Sequence, residues 1–174
     1  RLHQRVAENN GHLNTGFVGT PLLCPALTKT GHHKIAVDLL LNEDYPSWLY
    51  SVNLGATTIW ERWNSVLPDG KMNPEGMNSL NHYGSIEAWM YGDVAGIREA
   101  EPGFRKAVIK PNPDARLKYV DCKMETAAGI YESHWKYEED GSVTYRFHVP
   151  FGAKALICLP DGRTEMVAAG DYTY

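Results

Sequence analysis

The chain is poor in cysteine, has no cluster of basic residues and contains no long apolar run. Its three cysteines, Cys24, Cys122 and Cys158, are far apart and odd in number. That pattern excludes a disulfide framework and a cysteine-based metal site, and free buried thiols are expected. Lysine and arginine total 17 against 21 aspartates and glutamates, a net charge of −4. The basic footprint of a nucleic-acid binder is therefore missing. No segment approaches the roughly 18 apolar residues of a membrane span. Arg1 to Asn10 lacks the apolar centre of a signal peptide, so localisation stays open.

Several catalytic signatures are also absent. There is no Gly-x-x-x-x-Gly-Lys phosphate loop, no Gly-x-Ser-x-Gly elbow and no paired-histidine zinc motif. His32 and His33 are adjacent and would point in different directions on a helix. Asp69, Asn73, Glu75 and Asn78 offer oxygens but miss the spacing of a calcium loop. Neither a metal nor a cofactor is expected.

What is present divides in two near Glu101-Pro102-Gly103. Before it, helical periodicity dominates. Phe17 to Lys29, Lys34 to Leu41, Pro46 to Leu54 and Asn81 to Ile97 each carry apolar residues on one face. Pro21 suits a first helical turn, and Gly31 and Gly55 suit helix ends. Ile86, Trp89, Met90 and Ile97 would set the buried face of the last helix. Arg1 to Glu8 is also helix-compatible, with Leu2 and Val6 on one face, and it has no cap before it. It reads as the middle of a helix cut from something longer. Val66 to Leu80, rich in proline, glycine and asparagine, reads as a long ordered loop.

After Gly103 the period becomes two. Tyr131, Ser133, Trp135 and Tyr137 share one face, and Glu132, His134, Lys136 and Glu138 the other. Asp140-Gly141 is a hairpin signal, and Val143, Tyr145, Phe147 and Val149 alternate after it. Ala155 to Leu159 is a further strand before the turn Pro160-Asp161-Gly162-Arg163. The expected architecture is thus α plus β in two parts: residues 1–103 helical, residues 104–174 a β-sandwich.

Three segments can carry chemistry. In Thr57-Thr58-Ile59-Trp60-Glu61-Arg62-Trp63-Asn64, one carboxylate stands between two tryptophans and beside an arginine. Aromatic faces stack on the C–H faces of a pyranose, and a glutamate can act as general base on a water. Aromatic walls favour its neutral form, and Arg62, if close, its charged form. The competing reading makes Trp60 and Trp63 core residues and Glu61-Arg62 a solvated pair. His82, at the start of a helical run, can hydrogen-bond a sugar hydroxyl or serve as an ordinary loop histidine. His12 to Thr20 combines glycines and hydroxyls ahead of a helix, either as a binding loop or as a capping connection with Thr15 or Thr20 as cap.

Asn14 to Thr20, Gly55 to Ser65, Ser79 to Tyr83 and Gly84 to Tyr91 together resemble the C-terminal third of bacterial α-L-rhamnosidases of glycoside hydrolase family 78. Thr126 to Ile130, Val149-Pro150 and Ala169 to Tyr172 are similar too. The resemblance implies the terminal helices of an (α/α)6 barrel followed by an antiparallel β-sandwich. It implies inverting removal of terminal α-L-rhamnose from small glycosides or polysaccharides. Glu61 matches the family's general base and His82 a histidine lining the sugar pocket. Trp60 or Trp63 would wall the sugar, and Asn14 and Thr15 join the substrate-binding set. Arg62 would brace the barrel wall. The family's general acid lies in an earlier acidic segment with no counterpart here. The fragment is therefore expected to be inactive alone and prone to self-association through apolar faces left without neighbours. The alternatives are a non-catalytic carbohydrate-binding module or a purely structural sandwich. No nucleic-acid or membrane partner is expected.

Overall fold

A computed structural model describes residues 1–75 and 81–174, apart from the side chains of Asn81 and His82. The chain forms two compact units, Arg1–Glu87 and Ala88–Tyr174.

The first unit is helical. It contains α1 (Leu2–Glu8), α2 (Thr20–Lys29), α3 (His33–Leu41) and α4 (Trp48–Asn53), then a 3-10 turn at Asn81–Ser85 and the start of α5 (Ile86–Trp89). Leu23, Cys24 and Leu27 of α2 and Ala36, Val37 and Leu39 of α3 are buried, which gives this unit its centre. Pro21 stands in the first turn of α2, as its fixed φ allows. Gly31, at φ 80°, ends that helix, and the following His32 amide donates to Leu27 O at 2.8 Å. The helix also accommodates Pro25 in its interior.

Two local expectations are corrected here. Helix α2 starts at Thr20 rather than Phe17. Its N-cap is Gly19, so neither Thr15 nor Thr20 caps it. The Thr20 hydroxyl instead donates back to Gly16 O and Thr15 O, at 2.9 and 3.2 Å. In the stretch after Val66, Val66 and Met72 form an isolated bridge closed by a turn at Gly70. Residues 76–80, which include Asn78, Ser79 and Leu80, lie outside the described residues.

The second unit holds two four-stranded sheets. One has the order β1-β2-β6-β7, with β1 Ile97–Glu101, β2 Lys106–Ile109, β6 Lys154–Cys158 and β7 Thr164–Val167. The other has the order β3-β4-β5-β8, with β3 Tyr119–Thr126, β4 Gly129–Tyr137, β5 Val143–Val149 and β8 Gly170–Thr173. Pairing is antiparallel except between β2 and β6, which run parallel. Tyr131, Ser133 and Trp135 of β4 and Tyr145, Phe147 and Val149 of β5 are buried, as their alternation requires. The β4–β5 turn carries Gly141 at φ 84°, with the Ser142 amide donating to Asp140 Oδ1. Buried polar groups on β4 find partners: Ser133 Oγ donates to Ala95 O at 2.6 Å and Trp135 Nε1 to Val94 O at 3.0 Å.

The last helix is shorter than its apolar period suggests. It passes into a π turn at Met90–Val94, and Ile97 opens β1. Met90 is exposed rather than core. Gly96 explains the change of direction, since it sits at φ 84° and a Cβ there would lie 2.2 Å from the Lys110 backbone. The compact units part at Glu87/Ala88, ahead of the expected 103/104, and β1 pairs with β2 inside the second unit.

Candidate active site

The Glu61 segment follows α4. Ser47 caps that helix, its hydroxyl accepting from the Tyr50 amide at 3.0 Å. Gly55 ends it at φ 80°, with its amide bonded to Val52 O. From Ala56 to Asn64 the chain forms no helix or strand, with Trp60 at a single β-bridge position. Its exit is fixed by Ser65, which is buried and whose Oγ accepts from the Arg62 amide and donates to Arg62 O. The Asn73 amide then bonds Ser65 O at 2.8 Å, and Tyr50 OH donates to Val66 O at 3.1 Å. The loop is thereby held between α4 and the Val66–Met72 bridge.

Side chains within the segment diverge. Arg62 turns to the surface and pairs with Glu75 at 3.2 Å. Trp63 turns inward and stacks on Tyr83, with centroids 3.8 Å apart and ring planes 19° apart. Trp48 meets Trp63 edge-on at 5.4 Å and 89°. Trp48 Nε1 donates to the Tyr83 carbonyl at 2.9 Å, and Phe17 flanks Tyr83 at 5.3 Å. Aromatic pairs of this kind contribute about 0.5–1.5 kcal/mol each beyond area burial. Burial raises the Tyr83 phenol pKa, so the ring stays neutral. Trp63 Nε1 is buried without a hydrogen-bond partner among the described residues. Trp60 and Glu61 are half-buried.

The other candidate positions fall elsewhere in this unit. Asn14 is exposed, and Thr15 Oγ1 lies 2.9 Å from Thr20 Oγ1. Both line a cavity of about 380 Å³ with Arg5 and Val6 of α1 and the following Asn9. Trp60, Glu61 and Trp63 do not line it. His82 belongs to the 3-10 turn by its backbone, and its side chain lies outside the described residues. Asp69 is engaged by Lys71, and Glu75 by Arg62. Among the described residues no group of three or more His, Cys, Asp or Glu is arranged to hold a metal ion. No described helix is long and apolar enough to cross a membrane.

Sequence reading missed Tyr83 and Trp48 as parts of this site. The available signal was an aromatic at each flank: Trp48 on α4 before the segment, and Tyr83 directly after His82.

Comparison with known proteins decides the family. A family model described as the bacterial alpha-L-rhamnosidase 6 hairpin glycosidase domain matches residues 1–94. The chain belongs to this family. The bacterial alpha-L-rhamnosidase C-terminal domain matches residues 96–173. An alpha-L-rhamnosidase of Alteromonas sp. (strain LOR) is 44% identical over 97% of the chain, which spans 18% of that relative. Among solved structures, native α-L-rhamnosidase from Aspergillus terreus superposes with a TM-score of 0.93 at 33% identity, covering 98% of the chain and 20% of that protein. The Streptomyces avermitilis α-L-rhamnosidase complexed with L-rhamnose gives a TM-score of 0.89 at 32% identity, covering 98% of the chain and 19% of that protein. The chain therefore spans about a fifth of the length of these α-L-rhamnosidases. The first match covers helices α1 to α5 of this chain and the second covers strands β1 to β8.

Proposed function

We propose that this chain is the part of an α-L-rhamnosidase that supplies the general base, Glu61, for inverting hydrolysis of terminal α-L-rhamnosides. The observation that carries the reading is Glu61 itself. It is half-buried on a loop anchored on one side by α4 and on the other by the Trp63–Tyr83 stack. The likeness to relatives named alpha-L-rhamnosidase supplies the substrate class.

In this reading Glu61 takes the proton from a water that attacks the anomeric carbon from the face opposite the leaving oxygen. The general acid on that oxygen comes from a part of the enzyme outside this segment. The two carboxyls would stand roughly 6.5–9.5 Å apart, leaving room for the water. Arg62, engaged at the surface by Glu75, braces the segment and has no part in proton transfer. Trp60 is the aromatic wall for the sugar, because one face of Trp63 is already covered by Tyr83. His82, Asn14 and Thr15 contribute hydrogen bonds to the rhamnose or to the rest of the glycoside.

The stereochemical course tests the mechanism. The full-length enzyme carrying this segment is given an aryl α-L-rhamnoside and followed by proton NMR. Inversion requires β-L-rhamnose as the first-formed anomer. The α anomer appearing first would exclude Glu61 as a base of an inverting reaction.

A further inference from the structure

We infer that Tyr83 is a positioning residue for Glu61, acting through the ring of Trp63; the inference rests on the general-base reading above. Among the described residues Ala56 to Asn64 forms no helix or strand, only a bridge position at Trp60, and the Ser65 turn fixes the local path of the chain after Glu61. The stacking of Trp63 on Tyr83 at 3.8 Å ties the residues just after Glu61 to a distant part of the unit.

Tyr83 is itself constrained from several sides. Its carbonyl accepts from Trp48 Nε1, Phe17 stands beside its ring, and the residue is buried. The platform under Trp63 is thus rigid. Arg62 is drawn outward to Glu75 while Trp63 is drawn inward to Tyr83. These opposed anchors set the direction of the backbone immediately after Glu61. Without the Tyr83 ring, Trp63 would lose its stacked partner and keep the edge contact with Trp48. A displacement of about 1 Å at a reacting group can cost roughly 10²-fold in rate. Tyr83 needs no contact with sugar to exert this effect.

The test uses the full-length enzyme carrying this segment, with Tyr83→Phe, Tyr83→Leu, Glu61→Gln and the Tyr83→Leu/Glu61→Gln double variant. Tyr83→Phe keeps the stacked ring and should hold kcat within about twofold. Tyr83→Leu should lower kcat roughly 10–100-fold with KM changed by less than about threefold. In the Glu61→Gln background the same leucine should cost nothing further, since the group it positions is gone. A general loss of fold would lower the residual rate there too, and that result overturns the inference. Undiminished kcat in Tyr83→Leu beside a crippled Glu61→Gln overturns the inference alone. Undiminished kcat in Glu61→Gln overturns the general-base reading first. If melting shows that Tyr83→Leu does not fold, Tyr83→Met and Tyr83→His are judged by the same criteria.

Discussion

Trp63 lies face to face with Tyr83, ring centroids 3.8 Å apart, although twenty positions of sequence separate them. This contact holds the loop that follows α4 against the 3-10 turn at Asn81–Ser85. It also places the two tryptophans around Glu61 in different settings, since Trp60 takes no part in the stack.

The stack should be visible in stability. Trp63→Ala removes one ring of the pair and leaves a cavity beside Trp48. Fully buried tryptophans cost about 3–5 kcal/mol on truncation, so this half-buried one should cost about 2 kcal/mol. Thermal melting followed at a signal of the helical unit measures it. A loss below about 0.5 kcal/mol, the usual range for surface substitutions, would mean that the stack does not hold the loop.

In the β unit, Gly96 is a second fixed point. Its positive φ and the Lys110 backbone 2.2 Å from a would-be Cβ leave no room for a side chain. Gly96→Ala should destabilise the unit by about 1–3 kcal/mol or more, through strain and a forced shift of the Lys110–Pro111 backbone. Chemical denaturation monitored at Trp135 reads this directly. An unchanged midpoint would contradict the account of how the last helix gives way to β1.

Stability of the same unit should decline in acid partly through Glu132. The Lys123 ammonium, 2.8 Å away, and His134, 3.0 Å away, hold its carboxyl below the usual glutamate range. A depressed folded-state pKa means that the contribution is present above the unfolded value and is lost as pH falls through the folded one. His134 Nδ1 also lies 2.9 Å from Asp121 Oδ1, without hydrogen-bond geometry. Lys123→Met should lower stability only slightly at neutral pH, as expected of an exposed pair. It should also flatten the fall in stability below the ordinary carboxylate range. Parallel curves for wild type and variant across that range would remove Glu132 from the explanation.

The helical unit exposes Val18, Leu22 and Val52 at 85%, 65% and 59%. We propose that the 174-residue chain self-associates in isolation through these side chains. Sedimentation should show species heavier than the 19.5 kDa monomer, with binding of an apolar dye. A clean monomer without dye binding would argue against it. We propose that the same isolated chain does not turn over an aryl α-L-rhamnoside, since the proposed mechanism takes its general acid from another part of the enzyme, and measurable turnover would contradict that.

Much of the β unit was legible because its determinants are local. The alternation through Tyr131, Ser133 and Trp135, and the Asp140-Gly141 turn, state a strand, a hairpin and a buried face within a few residues. Helix α2 was legible for the same reason, through Pro21 and Gly31. The end of the last helix was not. Ile97 continues a 3.6-residue period, yet backbone from Lys110–Pro111, more than ten residues on, demands a glycine at 96 and turns the chain into β1. At the candidate site, Glu61 stood out by its aromatic neighbours. The role of Trp63 did not, because its partner Tyr83 is brought to it only by the fold of the helical unit.

The central claim is that Glu61 is the general base, and the most direct measurement is kcat of Glu61→Gln in the full-length enzyme carrying this segment. The amide keeps the size of the side chain and cannot take a proton from water. The account predicts a fall in kcat of about 10²–10⁴-fold with KM little changed. A kcat within a few-fold of wild type would contradict it.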